Sequence, residues 1–146
     1  MKRRLPTAQE IQPVRRALYE GRYDVAFKFA RAIRERYNEH TPAELLYAGS
    51  CALFGLGHIH QAEDWVAEHG RASGYNAAYL YMHAYMELHH GRPEQALVAW
   101  TRILQIDPSE TLADRLIERL RTGEQRILSD LRTPEAFADY IPLHIL

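Results

Sequence analysis

The chain has 146 residues, with 18 basic and 19 acidic side chains, eight histidines and one cysteine. That length is typical of one domain, a lone cysteine excludes a disulfide framework, and the balanced charge argues against a nucleic-acid-binding protein. No run of about 18 apolar residues occurs, so we expect no membrane span. These features predict a cytoplasmic single-domain protein.

Helical periodicity predicts six helices, arranged in three pairs, over the first 105 residues. Thr7 and Glu10 have the spacing of a capping box at the first helix start. Pro13 lies inside that helix, so it predicts either a kink or a helix that begins there. The predicted ranges are 8–20, 23–37, 43–55, 59–70, 77–89 and 93–105.

Two further segments follow Pro108, which disfavours helix at the residue before it. Leucines at i, i+4 spacing, with charged residues between them, predict capping helices over residues 111–131. Residues 132–146 form an apolar tail that ends in Ile-Pro-Leu-His-Ile-Leu. Because exposed apolar patches tend to mark interaction sites, we expect this tail to fold onto the helices or to enter a neighbouring copy and form a homo-oligomer.

Three columns of residues recur along the chain with one register. Glycines are spaced by 36 and then 34 residues, with a modest side chain seven residues earlier and an alanine five residues later. The glycines are Gly21, Gly57 and Gly91. The three columns around them are Val14, Ser50 and Ala84, then Ala26, Ala62 and Ala96, and then the apolar residues four positions after each alanine, Ala30, Val66 and Trp100. The pattern predicts repeated helical hairpins, since glycine readily ends a helix and alanine allows close helix approach.

A helix–turn–helix unit of this length resembles the tetratricopeptide repeat. The likeness covers residues 7–110 and is strongest in 77–110, where Ala96, Trp100 and Pro108 match the family pattern. The resemblance implies an all-α, right-handed α-α superhelix with units 7–40, 43–76 and 77–110. It also implies a concave groove lined by the first helix of each pair.

Carrying the family's groove positions onto this chain gives a mainly apolar, tyrosine-rich set. Its members are Ile11, Arg15, Tyr19, Tyr47, Cys51, Phe54, Tyr81, Met82, Tyr85 and His89. The resemblance therefore implies an adaptor or chaperone that holds a protein or peptide partner in this groove. The alternative interpretation is that these aromatic residues belong to the hydrophobic core.

Two subtypes of the family have groove residues that can be compared with those of this chain. Domains that clamp acidic C-termini need basic and polar groove residues, whereas here Ala48, Ala78 and Met82 stand at those places, which disfavours a carboxylate clamp. Translocator-class chaperones of type III secretion have a similar size and an apolar groove, and they are one alternative. A self-associating structural module, whose groove is filled by its own tail, is another.

Other chemistry has little support in the sequence, and we expect no enzyme, cofactor or metal site. His58 and His60 lie close together, as do His89 and His90, but no cysteine or carboxylate pair completes a ligand set. Cys51 has no adjacent base and is expected to be a buried apolar residue. The basic residues Lys2, Arg3 and Arg4 suit a solvated terminus.

Overall fold

The computed structural model describes residues 5–37, 41–123 and 142–146. Over these residues the chain is entirely helical, with seven α-helices, a short 3-10 helix and no strand. The α-helices are α1 (Ala8–Tyr19), α2 (Tyr23–Arg36), α3 (Ala43–Gly55), α4 (Ile59–Ser73), α5 (Ala77–His89), α6 (Pro93–Ile106) and α7 (Thr111–Arg121). The 3-10 helix is Leu143–Ile145. Lys2, Arg3, Arg4 and most of the predicted tail lie outside the described residues, as does the predicted capping region after residue 123.

The start of α1 follows its predicted signal, and α5 also begins at a side-chain cap. Thr7 and Glu10 form the capping box, in which the Thr7 hydroxyl accepts from the Glu10 backbone N–H at 3.2 Å. The Asn76 side chain caps α5 by accepting from the Tyr79 N–H at 3.1 Å. Because α1 begins at Ala8, the alternative start at Pro13 is wrong, and Pro13 lies within the helix on its exposed side.

One loop joins the two helices of each hairpin, and the three loops share one geometry. Gly21, Gly57 and Gly91 have φ values of 71°, 78° and 76°. The residue after each glycine donates its N–H to the carbonyl five residues earlier, at 2.8–2.9 Å. This left-handed closure of a helix favours glycine because a side chain would be strained there. The recurring glycine column thus marks one recurring turn.

Each helix packs against its neighbour in sequence, and α1 also packs against α3, as α3 does against α5. The first helices of the three hairpins therefore lie side by side. The three columns around the glycines lie in the core, with Ala26, Ala62 and Ala96 all fully buried. This packing is consistent with a helical repeat.

The end of α4 differs from the prediction. The helix continues to Ser73 instead of stopping at residue 70, and Gly74 ends it with a φ of 75°. Gly70 lies inside the helix, where the rings of Tyr75 and Tyr79 pack in the space that a side chain would fill. The helix therefore extends three residues beyond the predicted end at residue 70.

Two helices, α3 and α5, are buried on nearly every side. In α3 every residue from 45 to 55 is buried, and α5 buries eight of its 13 residues. Within the described part of the chain, none of the helices has the length and apolar character needed to cross a bilayer. The apolar character of these two helices instead matches their place between neighbouring helices.

Candidate functional site

A surface formed by α1, α3 and α5 carries three tyrosines that contact the end of the chain. We call Tyr19, Tyr47 and Tyr81 the tyrosine face, and residues 142–146 the proline turn. The proline turn is a single helical turn, in which Ile145 and Leu146 donate backbone N–H groups to the carbonyls of Pro142 and Leu143. It is therefore a compact segment seated on a helical surface far from it in sequence.

Two tyrosines of the face bind the backbone of the proline turn. The Tyr47 hydroxyl donates to the Pro142 carbonyl at 2.9 Å, and the Tyr19 hydroxyl donates to the Leu143 carbonyl at 3.1 Å. Burial is the largest cause that raises the pKa of Tyr47 well above its ordinary value, so this hydroxyl keeps its proton. Donors aimed at consecutive carbonyls recognise a backbone conformation without depending on the side chains of the bound segment.

Tyr81 supports a third contact through Glu110. Its hydroxyl donates to Glu110 Oε2 at 2.7 Å and accepts from the Ala113 N–H at 3.0 Å. The same carboxylate oxygen lies 2.9 Å from His144 Nε2, and the His144 ring meets the Tyr81 ring edge-on at 6.5 Å. Burial, followed by the Glu110 contact, raises the pKa of Tyr81, which keeps it a donor. A polar side chain in the bound segment is thus held beside the start of α7.

Apolar contacts complete the seat of the proline turn. Pro142 is buried, and Leu143, Ile145 and Leu146 pack against the hydrophobic core while staying partly exposed. Aliphatic side chains of this size contribute about 1.5–3 kcal/mol each when fully buried. The face therefore holds the proline turn by backbone hydrogen bonds together with an apolar contact.

The predicted groove residues differ in burial and in whether they contact the proline turn or pack between helices. Most are buried, namely Ile11, Tyr47, Cys51, Phe54, Tyr81, Met82 and Tyr85, whereas Arg15 is partly buried and Tyr19 and His89 are exposed. Tyr19, Tyr47 and Tyr81 meet the proline turn. Others pack between helices: Cys51 Sγ lies 3.9 Å from Met82 Sδ, and the rings of Phe54 and Tyr85 meet at 6.1 Å. His89 lies at the end of α5, where its ring meets that of His90.

Cys51 is a fully buried free thiol. Burial raises its pKa to about 12, although a hydrogen bond with Tyr47 opposes the shift. A thiol with that pKa is protonated at neutral pH, and the thiolate is the reactive form of cysteine. Cys51 therefore contributes packing to the interior of the face.

Sequence reasoning missed His69, which is 2% exposed and lies on the buried stripe of α4. Burial lowers its pKa to about 4, so its ring is neutral at pH 7. Its ring centroid lies 5.6 Å from that of Tyr47. The spacing of His69 from Ala62 and Val66 follows the helical stripe, and this signal could have placed it in the interior.

A cleft of about 320 Å³ opens beside the proline turn. We call it the polar cleft; it is lined by Arg15, Ala43, Glu44, Tyr47, His69, Asn76, Ala78, Ile145 and Leu146. Arg15 Nη2 pairs with the Glu44 carboxylate across it. Among the described residues, the buried atoms Arg15 Nε, Glu44 Oε1 and His69 Nδ1 find no hydrogen-bond partner, although Glu44 Oε1 is ion-paired with Arg15.

Among the described residues, the other histidines do not form a cluster that resembles a metal site. Residues 5–37, 41–123 and 142–146 contain no group of three or more His, Cys, Asp or Glu side chains positioned to hold a metal ion. His83 stacks on Tyr79, with ring centroids 5.5 Å apart, and its Nε2 lies 3.8 Å from Glu87 Oε1. His90 pairs with Glu63.

Comparison of the chain with protein-family models, with curated proteins and with solved structures finds no match in any of the three.

Proposed function

We propose that the chain is a tetratricopeptide-like α-α superhelix that binds a short apolar segment of a partner protein on its tyrosine face. In this proposal the proline turn occupies the face within the same chain until a partner displaces it. The protein acts as an adaptor or chaperone without catalytic chemistry of its own.

One observation carries the proposal: two tyrosine hydroxyls donate to consecutive backbone carbonyls of a segment about a hundred residues away. Every polypeptide offers such carbonyls, so a partner segment with the same turn can make the same bonds. Tyrosine supplies a large, stiff contact area together with a donor, and it is enriched at interfaces for that reason. Segments that add a turn or helix to a groove are bound in this way.

The repeat architecture is supported by three features. The hairpin loops share one hydrogen-bond pattern, the three alanines at matched positions are fully buried, and the first helices of the hairpins lie side by side. A stack of hairpins exposes the first helices on one surface and the second helices on the other. The tyrosine face belongs to the first of these surfaces.

The test uses a full-length variant with Leu143→Asp and Ile145→Asp, which we call the open-face variant. Its new carboxylates oppose burial of the proline turn. A fluorescent peptide with the sequence of residues 138–146 is titrated by polarisation. We expect the open-face variant to bind this peptide at least tenfold more tightly than the wild type, because an occupied site is available only in proportion to its open fraction.

Matched controls separate the face from the rest of the surface. Tyr47→Phe in the open-face variant should weaken peptide binding about two- to tenfold, since one hydrogen bond contributes about 0.5–1.5 kcal/mol. Tyr75→Phe, at an exposed tyrosine outside the face, should leave binding unchanged. No binding to the open-face variant would refute the proposal. Equal binding by the wild type would show that the proline turn does not compete for the site.

Sedimentation of the wild type addresses the self-associating alternative. A concentration-dependent dimer that the open-face substitutions abolish would favour exchange of the proline turn between copies. A monomer at all concentrations would leave occupation within one chain. The type III secretion chaperone stays a prediction from the resemblance, and a pull-down from host lysate with wild type and open-face variant would identify the partner.

A further inference from the structure

We propose that the polar cleft is a specificity subsite that takes a carboxamide, the side-chain group of Gln or Asn, from the residue that follows the apolar turn of the partner segment. This inference rests on the proposed function, and it names the chemistry of one partner residue.

The position of the cleft fits the next residue of a bound segment. Ile145 and Leu146 form one side of the cleft. Its other walls come from Arg15 on α1, from Glu44 at the start of α3, and from Asn76, which caps α5. A partner segment seated like the proline turn would therefore place its following side chain here.

Within the described part of the chain, three residues that line the cleft carry a buried polar atom that makes no hydrogen bond. These atoms are His69 Nδ1, Arg15 Nε and Glu44 Oε1, of which Glu44 Oε1 is ion-paired with Arg15. Buried polar groups are hydrogen-bonded in the great majority of cases. His69 Nδ1 and Arg15 Nε come from different helices, α4 and α1, and the His69 residue is almost wholly buried. Unsatisfied groups at one cleft indicate a ligand that supplies the missing partners.

The charge of the cleft selects a neutral ligand. Arg15 is paired with Glu44, so the two charges offset each other. His69 is neutral at pH 7 because burial lowers its pKa to about 4. A ligand carboxylate would meet the Glu44 charge, and a ligand ammonium would meet Arg15, so each loses part of its attraction. A neutral group keeps its hydrogen bonds without either repulsion.

A carboxamide has the complementary set of atoms. Its carbonyl oxygen can accept from Arg15 Nε–H, and its NH₂ group can donate to His69 Nδ1. The donor and the acceptor are on separate atoms, which suits two partners on different helices. The cleft volume of about 320 Å³ exceeds the ~30 Å³ that one water takes in the liquid, so it is large enough for such a side chain.

The test extends the peptide of residues 138–146 by one variable residue and two glycines. The variable residue is Gln, Glu or Met, which have similar lengths, and binding is measured with the full-length open-face variant. We expect the Gln peptide to bind about tenfold more tightly than the Met or Glu peptide, because a site that forms paired hydrogen bonds rejects isosteres lacking them.

Two substitutions connect the preference to the cleft. His69→Phe keeps an aromatic ring, and Arg15→Lys keeps a cation beside Glu44; each should remove the Gln preference while Met-peptide binding persists. The second variant alters a partly exposed side chain, so it keeps the test valid if His69→Phe does not fold. His83→Phe, outside the cleft, should retain the preference.

The outcomes distinguish this inference from the function beneath it. If all three peptides bind equally well, the subsite is wrong while the tyrosine face stands, and water is the occupant of the cleft. Tightest binding of the Glu peptide would make the cleft an anion site and overturn the inference. If no peptide binds at all, the proposed function itself fails.

Discussion

The helices α3 and α5 differ from α4 and α6 in how much of their surface is buried. α4 and α6 are amphipathic, each with one buried stripe, whereas α3 is buried at every residue from 45 to 55. A helix that is apolar all round needs cover on every side. Neighbouring helices supply part of that cover, and the proline turn supplies more through Tyr47 and Tyr81. The excess apolar surface of α3 and α5 thus explains why residues 142–146 lie on them.

The largest effect on stability should come from shortening a buried side chain of α3, and shortening an exposed side chain of α6 is the comparison. Leu53 is fully buried, and Leu53→Ala should lower the free energy of unfolding by about 2–5 kcal/mol through lost burial and a cavity. Val98→Ala, at a residue 57% exposed on α6, should change it by less than about 0.5 kcal/mol. Urea denaturation measures both, and similar losses would contradict the difference between the two regions.

Acidification tests the one titratable side chain on the buried stripe of α4. The folded-state pKa of His69 is lowered to about 4, while an unfolded histidine titrates near its ordinary value of 6.5. The folded state therefore favours the neutral ring. This contribution to the free energy of unfolding is fully present above pH 6.5 and is lost as the pH falls from 6.5 towards 4, with about 2 kcal/mol lost at pH 5. The decline between pH 7 and pH 5 should be smaller in His69→Gln; equal slopes would show that His69 is not the cause.

A larger side chain can be placed on the buried side or on the exposed side of α4, and the two effects on stability can be compared. Ala62 is fully buried, and Ala62→Leu should destabilise the fold by about 1–3 kcal/mol because the core has no space for the added carbons. Ala72 lies on the exposed side of the same helix, and Ala72→Leu should have little effect. Thermal melts of the two variants give the difference directly. An unchanged melting temperature in Ala62→Leu would contradict the register of the repeat.

The smallest effect on stability should come from removing one hydroxyl group from the tyrosine face. Tyr47→Phe removes the bond to the Pro142 carbonyl and should cost about 0.5–1.5 kcal/mol. The same change should raise hydrogen exchange at the amides of Ile145 and Leu146, which the seated turn holds. Tyr75→Phe serves as the control. Exchange that is equally slow in both variants would show that the hydroxyl does not hold the turn.

The hairpins could be predicted from the sequence because their signals are local. The capping box at Thr7, the proline at the start of α6 and the glycine column fix helix ends within a few residues. The end of α4 was predicted three residues too early: the glycine that ends the helix is Gly74, whereas Gly70 leaves space for the rings of Tyr75 and Tyr79. Glycine alone does not distinguish those two uses.

The site could be predicted only in part. Tyr19, Tyr47 and Tyr81 are among the predicted groove residues, but the hydrogen bonds of Tyr19 and Tyr47 with residues 142 and 143 span most of the chain. No local pattern encodes a contact of that length. The role of Glu110, which joins Tyr81 to His144, depends in the same way on tertiary packing.

The most direct test of the central claim is a set of methyl–aromatic NOEs in the isotopically labelled full chain. We expect NOEs from the methyl groups of Ile145 and Leu146 to the ring of Tyr47, and we expect them to vanish when excess unlabelled peptide of residues 138–146 is added. A mixed sample with differently labelled copies should show none between molecules. Absence of these NOEs from the free protein, or their persistence at saturating peptide, would contradict a tyrosine face that holds an exchangeable apolar turn.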